Sequence, residues 1–298
     1  MKVSGFTLCR NGVRLGFPFR ESIRSIAPLC DEIVVACGAG EDNTLEELQK
    51  LAPELLPCKL RIIETTWDPA LVKGGSILAE QTNVALEACQ NEIVFYIQGD
   101  EVLHDEDYPI IKRDLEKLEQ SSEAASLVFQ WVHFFGDPQT VAHSRKWYRK
   151  EIRAFKKSSG LKSYKDAQSF RKFVNGEWST LPAIESQARV LHYGWVRPAD
   201  LMALKTNEFQ HWWHGKKGKA DRDSIFRPQF GIYPYQGTHP HVMQSYLAAL
   251  PKPETSFYQM NRAPLNIETL RLALSQLVER LSGIRPGEFK SYSKLLTE

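Results

Sequence analysis

The 298-residue sequence has no long hydrophobic run and few cysteines. No stretch approaches the roughly 18 to 20 uninterrupted apolar residues that span a bilayer, and the opening MKVSGFTLCRNG lacks the long apolar centre of a secretory signal. We therefore expect a cytoplasmic protein. None of the five cysteines is part of a C-x-x-C pair, which favours reduced and mostly buried thiols.

Charge of one sign is not in excess over the whole chain. There are 38 Lys and Arg against 36 Asp and Glu, and 42% of residues are hydrophobic, which excludes a disordered or collagen-like chain. Locally the balance is uneven. Residues 91–123 contain ten acidic and three basic residues, whereas residues 145–172 contain eleven basic and two acidic ones. This indicates either two solvated faces or a metal-attracting acidic edge beside a basic surface for an anionic partner.

Short β-rich runs alternate with helical patterns over the first hundred residues. VSGFTL, IVVAC and LRIIET read as strands, and residues 13–29 and 76–89 carry apolar residues at helical spacing. Thr44, with Glu47 three residues later, predicts a capping box at the start of another helix. This order is typical of parallel βαβ units, so we predict an α/β fold with a mostly parallel central sheet flanked by helices.

The run IVFYI predicts a strand buried on both faces, and it ends in the polar cluster QGDE. Ligands of open α/β sheets gather at such carboxyl ends. Further strands are predicted in SLVFQWVHFFG and LPAIESQARVLHYGWV. The last hundred residues are richer in aromatic residues and end in a leucine-striped helix. We predict one domain over residues 1–200 and an appended, largely helical layer over residues 201–298.

These motifs together resemble a known enzyme family. A strand followed by Arg10-Asn11, a helix, DEIVVA, a Gly/Asp-rich loop, Thr44 and the buried strand ending in QGDE resemble the family 2 glycosyltransferases of the GT-A fold, over about the first 105 residues. The later LHYGWVRP is similar to a segment of bacterial relatives that build lipopolysaccharide core or other surface glycans. The resemblance implies transfer of a sugar from a nucleotide-diphosphate donor.

A divalent cation, Mg²⁺ or Mn²⁺, is implied by the same resemblance, because the leaving diphosphate gains negative charge. Asp100 is the expected ligand. The family usually has Asp-x-Asp here, so Gln98 replaces a carboxylate; it can bond the ribose or a metal-bound water, and Gly99 allows close approach of the donor. His192 is either a second metal ligand or a hydrogen-bonded, partly buried histidine. Arg197 could pair with phosphate.

The donor pocket is expected at the ends of the first two strands. The resemblance places Thr7, Arg10 and Asn11 there, and Cys37 stands where the family usually has the aspartate that contacts the nucleobase. Asp42 is either a second donor contact or a turn residue that bonds local backbone. The tryptophans of HWWH indicate packing, with sugar contact as the alternative.

Transfer with inversion also needs a base for the proton of the acceptor hydroxyl. Asp166 and Glu185 are the candidates. Asp166 is favoured because nearby Lys162, Lys165 and Arg171 would keep it ionised; the alternative is a surface salt bridge.

The sequence therefore predicts a metal-dependent, inverting glycosyltransferase acting in lipopolysaccharide or other surface-glycan synthesis. Its acceptor would be a glycan or an anionic, lipid-linked molecule. The basic residues 145–172 would recruit the acceptor or an anionic membrane surface, which needs no transmembrane helix. Two alternatives are a non-catalytic binder of nucleotide sugars or polyanions, and nucleic-acid binding through KWYRKEIRAFKK, which the net charge of +2 disfavours.

Overall fold

The computed structural model describes residues 1–216, 218–252, 255–283, 285 and 288–296. Strands and helices alternate in the first part of the chain. In order they are β1 Val3–Cys9, α1 Phe19–Ile26, β2 Glu32–Gly38, α2 Thr44–Leu51, β3 Lys59–Thr65, α3 Ser76–Ala88, β4 Ile93–Tyr96, β5 Glu101–Leu103 and α4 Tyr108–Gln120.

Strands dominate the middle of the chain, and helices the end. The elements are β6 Ser126–Phe135, β7 Asp137–Ala142, β8 Lys150–Lys156, β9 Leu161–Ser163, β10 Phe170–Val174, β11 Glu177–Ser179, β12 Leu181–Trp195, α5 Ala199–His214, α6 Arg222–Ile225, β13 Ile232–Pro234, α7 Gln244–Ala249, α8 Phe257–Met260, α9 Ile267–Ser282 and β14 Tyr292–Leu296.

The main sheet runs in the order β13-β7-β6-β8-β4-β1-β2-β3, with β12 paired to β5, β6 and β14. Strand β1 lies between β2 and β4 and is parallel to both. The carboxyl ends of these three strands therefore meet at one edge, and the chain segments that follow them are brought together. The predicted α/β class with a helix-flanked sheet is confirmed.

Strand β12 brings a second polar segment to this edge. It runs parallel to β6 and antiparallel to β5, with His192 opposite Glu101. The backbone N–H of Tyr193 also donates to the carbonyl of Asp100 at 2.7 Å. The QGDE cluster and the LHYGWVRP segment, far apart in sequence, are adjacent for this reason.

The region after residue 200 contributes to the sheet as well as to the helices around it. Strand β13 pairs with β7, and β14 pairs with β12 in parallel. Helix α5 lies over the carboxyl edge, as the contacts of Lys205 described below show. In the described part of the chain, no helix is long and apolar enough to cross a membrane.

Two local predictions were wrong. The helix expected over residues 13–29 begins only at Phe19, because Gly16, at φ +64°, and Pro18 form a turn before it. Thr44 does not cap α2, whose N-cap is Asn43. Its hydroxyl instead accepts from the N–H of Gly12 at 2.8 Å and ties the loop after β1 to the loop after β2.

The five cysteines are free and buried, as predicted.

Another buried group, Glu151 of β8, is a carboxyl without a charge partner at close range among the described residues. Its Oε1 accepts from Gln168 at 2.6 Å, and its Oε2 has no hydrogen-bond partner in that part of the chain. Burial raises its pKa from 4.5 to about 7, against the smaller lowering effects of Ser169 and Gln168.

This raised pKa predicts how stability changes with pH. The folded state binds the proton of Glu151 more tightly than the unfolded state, so the stabilisation is present below pH 4.5 and is lost as pH rises through about 7. As pH rises from about 5 to about 8, the free energy of unfolding of Glu151→Gln should therefore increase relative to that of the wild type, by on the order of 1 to 3 kcal/mol. Urea unfolding at both pH values measures this, with the exposed Glu116→Gln as control; an equal difference at both pH values contradicts it.

Candidate active site

A cavity of about 470 Å³ lies at the carboxyl edge of β1 and β4 and is covered by α5. Gln98, Gly99 and Asp100 line it after β4, and His192 lines it from β12. Its walls are largely aromatic: Phe17, Trp67, Tyr148, Trp195, Phe209, Trp212 and Trp213. A mostly apolar cleft with a few converging polar groups is the usual form of a small-molecule site.

Asp100 is the central polar residue of this cavity. It is 6% exposed. Its Oδ2 accepts from Lys205 Nζ at 2.8 Å and lies 3.7 Å from Arg197 Nη2, while its Oδ1 lies 3.8 Å from His192 Nε2. Burial by itself would raise the pKa of Asp100, but the cations Lys205 and Arg197 outweigh it and hold the pKa well below its usual range. Asp100 is therefore an anion at physiological pH.

Lys205 of α5 is a site residue that the sequence reasoning missed. Its side chain is 12% exposed, and Nζ also donates to the carbonyl of Gly194 at 3.0 Å. Burial and the nearby Arg197 lower the pKa of Lys205 to about 8, although Asp100 favours the charged form. A signal was present, since Lys205 falls three residues after the buried Met202 and four before Phe209, on the apolar side of the helix.

Arg197 is a second buried cation beside Asp100, at 3% exposure. Its Nη1 donates to the carbonyl of Leu15 at 2.8 Å, and its guanidinium lies 4.4 Å from the ring centre of Phe17. Its Nε and Nη2 have no hydrogen-bond partner among the described residues. Buried donors of this kind are costly unless something accepts from them.

The tautomer of His192 follows from its neighbours. His133 Nε2 lies 2.7 Å from the carbonyl of Tyr148, which can only accept, so Nε2 of His133 carries the proton. Burial lowers the pKa of both histidines, so both are neutral, and Nδ1 of His133 must accept from Nδ1 of His192 at 3.1 Å. Nε2 of His192 therefore presents a lone pair toward Oδ1 of Asp100.

Asp100 and His192 are the residues that would hold a divalent cation. Oδ1 of Asp100 is not used by Lys205, and the facing Nε2 of His192 is unprotonated and oriented by His133. Among the described residues no group of three His, Cys, Asp or Glu side chains is placed to hold a metal, so phosphates and water must supply the other ligands. Lys205 and Arg197 repel a free cation, so we expect the metal to bind only together with an anionic ligand.

Glu101, beside Asp100, does not face the cavity. It is fully buried and accepts from Arg153 at 2.6 and 2.8 Å. Its Oε2 also accepts from the N–H of Gln98 at 3.0 Å. The Gln98 side chain donates to the carbonyl of Ala167 at 3.0 Å, which attaches the loop of Asp166 to the end of β4.

Of the two candidate bases, Asp166 lines the cavity and Glu185 does not. Asp166 is partly buried and lies against Gly75, whose φ is +71° and where an added methyl group would come within 2.8 Å of Asp166 Cβ. Burial raises the pKa of Asp166 against the smaller lowering effects of the backbone N–H groups of Asp166 and Gln168 and of the neighbouring Lys165. Glu185 on β12 forms an ion pair with Lys150 at 2.7 Å.

The three residues expected at the end of β1 are placed differently. Arg10 lines the cavity, donates to the carbonyl of Ala39 at 2.8 Å, and lies over the Trp67 and Trp212 rings at 5.0 and 5.4 Å. Asn11 is buried and bonds Glu41 and Glu208. Thr7 is buried within β1. Only Arg10 of the three reaches the cavity wall.

Asp42 and Cys37 line a separate depression of about 370 Å³ beside β2. Asp42 Oδ1 accepts from the Thr44 hydroxyl at 2.6 Å, and Oδ2 accepts from the N–H of Arg14 at 2.7 Å. Asp42 Oδ1 also accepts from the backbone N–H of Thr44 at 3.1 Å, so the carboxylate bonds both its own turn and the loop after β1.

The basic residues 145–172 do not form one open surface. Arg153 is fully buried, and Lys156 pairs with Ile93 at the amino end of β4, opposite the cavity. Lys156 and Lys157 donate to backbone carbonyls, and Lys162 lies 3.1 Å from Glu87. These three lysines are therefore placed away from the cavity that they were expected to serve.

Solved glycosyltransferase structures are similar to parts of this chain. The S. aureus TarS structure aligns with 70% of this chain and 39% of its own, at 16% identity and a TM-score of 0.40. The mannosyltransferase PcManGT from Pyrobaculum calidifontis, in complex with GDP-Man and Mn²⁺, aligns over 42% of this chain and 34% of its own, at 19% identity and a TM-score of 0.33.

A third similar structure is the glucosyl-3-phosphoglycerate synthase from Mycobacterium tuberculosis in complex with Mn²⁺, UDP and phosphoglyceric acid. It shares 17% identity over 44% of this chain and 43% of its own, at a TM-score of 0.30. The chain thus spans less than half the length of each of these three structures. No family model and no curated protein matches the chain.

The paired cations predict binding of a diphosphate at the cavity floor. Inorganic pyrophosphate should bind the wild type in calorimetric titration, and Lys205→Met should weaken it by about tenfold or more, since one charge-assisted contact is lost. Lys205→Arg keeps the charge and serves as the matched control. Equal affinity in wild type and Lys205→Met would remove Lys205 from the site.

Proposed function

We propose that this protein transfers a glycosyl group from a nucleoside-diphosphate sugar to an acceptor hydroxyl, with inversion in a single displacement. The observation that supports this most is the arrangement around Asp100. One carboxylate, one cation and an oriented imidazole line an aromatic cavity at the carboxyl ends of parallel strands, and a second cation, Arg197, is buried beside the carboxylate. The alternative, a binder of nucleotide sugars without turnover, would use the same cavity.

The net positive charge at the cavity floor favours binding of the donor's diphosphate there. Lys205 and Arg197 together carry one positive charge more than Asp100 neutralises, and their donors lie in a buried, low-dielectric place where such charges act strongly. Arg197 does not line the cavity, so its buried charge would act on the diphosphate across Asp100 and not by direct contact. These cations are fixed before the reaction, so little reorganisation is needed as the leaving group gains charge.

Asp100 Oδ1 and His192 Nε2 would hold the divalent cation together with the donor. When bound, such a cation supplies further positive charge for the leaving diphosphate. His133 keeps His192 in the required tautomer through their shared hydrogen bond, and the Tyr148 carbonyl fixes His133 in turn.

The aromatic wall would receive the flat parts of the donor and acceptor. Trp67 and Trp212 lie 5.1 Å apart between ring centres and carry the Arg10 guanidinium over their faces. Sugar rings and nucleobases both stack on such surfaces. The tryptophans of HWWH would serve sugar contact as well as packing; Trp212, 8% exposed, lines the cavity.

Asp166 is the proposed base. Its carboxylate would take the acceptor's hydroxyl proton as that oxygen forms its bond to the anomeric carbon. The bond from that carbon to the diphosphate breaks, and its electron pair stays on the phosphate oxygen. A surface glycan, as the LHYGWVRP resemblance implies, or another anionic glycan is the proposed acceptor.

Asp100→Ala should lower transfer by about two orders of magnitude or more, because it removes both the metal ligand and the partner that orients Lys205. Release of nucleoside diphosphate in a screen of UDP- and GDP-sugars measures this. Asp223→Asn, on the exposed α6, is the control. Wild-type turnover in Asp100→Ala would exclude the proposed role of Asp100 in transfer.

The same variants separate metal binding from catalysis. In thermal unfolding, MnCl₂ with UDP or GDP should stabilise the wild type more than either alone, since a ligand of the native state raises the melting temperature by mass action. Asp100→Ala should lose the added effect of Mn²⁺. Equal stabilisation of the wild type by UDP or GDP with and without MnCl₂, or an unchanged effect of Mn²⁺ in the variant, would contradict metal binding between Asp100 and His192.

Asp166→Asn should reduce turnover by about a hundredfold or more while nucleotide binding stays close to the wild type, since the amide has nearly the same shape but is a poor base. Glu185→Gln, which lies outside the cavity, should change turnover little. A larger catalytic defect in Glu185→Gln, or an equal loss of nucleotide binding in Asp166→Asn, contradicts this assignment.

A further inference from the structure

Helix α9 exposes a continuous apolar stripe. Ile267, Leu270, Leu274, Leu277 and Leu281 recur at the spacing that places side chains on one face of a helix. Their exposed fractions are 71%, 59%, 63%, 51% and 80%, in that order. A row of this length, about 22 Å at 1.5 Å per residue, is a contiguous surface and not a scatter of single residues.

The polar side of α9 faces the protein, which is the reverse of an ordinary surface helix. Arg145 Nη1 donates to Ser275 Oγ at 2.7 Å, and Gln276 Nε2 donates to the Tyr233 hydroxyl at 3.0 Å. Glu279 is paired with Arg149. Polar contacts therefore hold the helix and keep its apolar stripe turned outward.

Positive charge borders the stripe. Arg271 and Arg280 are exposed on its two sides, and no partner for either is found among the described residues. Leu265, 93% exposed, extends the apolar surface before the helix, with the exposed Arg262 beside it. An apolar stripe with a cationic border is the pattern of helices that lie in the interface of anionic membranes.

A second copy of the chain fits this face less well. Read as a heptad, the stripe occupies the two core positions, and Arg271 and Arg280 fall at the flanking positions that carry complementary charges in coiled coils. No acidic residue stands at those flanking positions to pair with them. The stripe also covers only about two heptads, fewer than the three to four that mark a coiled coil.

We propose that α9 lies flat in the interface of an anionic membrane, with the leucines in the headgroup and acyl boundary and Arg271 and Arg280 on lipid phosphates. The chain would attach to the surface without spanning it. This inference does not depend on glycosyl transfer. It places the membrane contact on α9 and not on the lysines of residues 145–172.

Sedimentation with vesicles tests the proposal. The full chain should bind vesicles of phosphatidylcholine with about 30% phosphatidylglycerol and bind pure phosphatidylcholine weakly, and about 0.5 M NaCl should reduce binding. Leu274→Gln with Leu277→Gln should weaken the partition by about tenfold or more. Arg271→Gln with Arg280→Gln should weaken it by about fivefold for each charge.

Matched controls replace equally exposed residues elsewhere. Leu56→Gln with Met260→Gln changes two apolar side chains that are 69% and 54% exposed, and Lys59→Gln with Lys112→Gln changes two exposed cations. All four variants should keep the wild-type melting temperature and pyrophosphate affinity, since none touches the cavity. Controls that lose binding as strongly as the α9 variants would overturn the proposal.

Two other outcomes would also overturn it. Equal binding of wild type and leucine variant to anionic vesicles means that α9 is not the contact. A wild-type dimer in analytical ultracentrifugation that becomes monomeric in the leucine variant means that the stripe is covered by a second copy. A wild type that binds vesicles but does not bind pyrophosphate would count against the proposed function and leave the membrane proposal standing.

Discussion

The buried ion pair between Arg153 and Glu101 is the interaction on which the rest of the site depends. Both side chains are fully buried, and breaking such a pair by removing one partner costs about 3 to 5 kcal/mol. The guanidinium also donates to the carbonyl of Gln168 at 2.9 Å and lies 4.5 Å from the ring centre of Trp131. One side chain from β8 thereby joins the start of β5, strand β6 and the loop that carries Asp166.

This pair also decides which carboxylate meets the cavity. Because Arg153 neutralises Glu101 inside the protein, Asp100 is the carboxylate of the QGDE cluster that faces the cavity. Lys205 and Arg197 then outweigh that charge. Gln98, which also lines the cavity, is neutral and adds no negative charge beside Asp100. A floor that is net positive before any metal arrives favours anion binding first.

The parallel strands and the Asp100 region could be predicted from sequence because they depend on local pattern: apolar runs, and polar residues where the runs end. The burial of Lys205 had a signal in its helical spacing, but its pairing with Asp100 had none, because the helix that carries it packs across the sheet edge about a hundred residues later in the chain. The prediction that Thr44 caps α2 was wrong for a similar reason. Its hydroxyl bonds the N–H of Gly12, far away along the chain, and not a group at its own helix terminus. Long-range pairing overrides local capping preference there. The sequence left the role of Asp42 open, because a donor contact and a turn residue would both lie in the same loop.

Helix α9 and the cavity share one support. Lys146 and Arg149 pair with Glu268 and Glu279 of the helix, and between them in sequence Tyr148 lines the cavity, while its carbonyl accepts the hydrogen bond from His133 that sets the tautomer of His192. A displacement of α9 would therefore act on residues 146–149, the same short segment that orients the imidazole of His192. Since α5 supplies Lys205 and α9 holds residues 145–149, the region after residue 200 is a structural part of the site, and its removal would expose the cavity and release the loop that fixes His133.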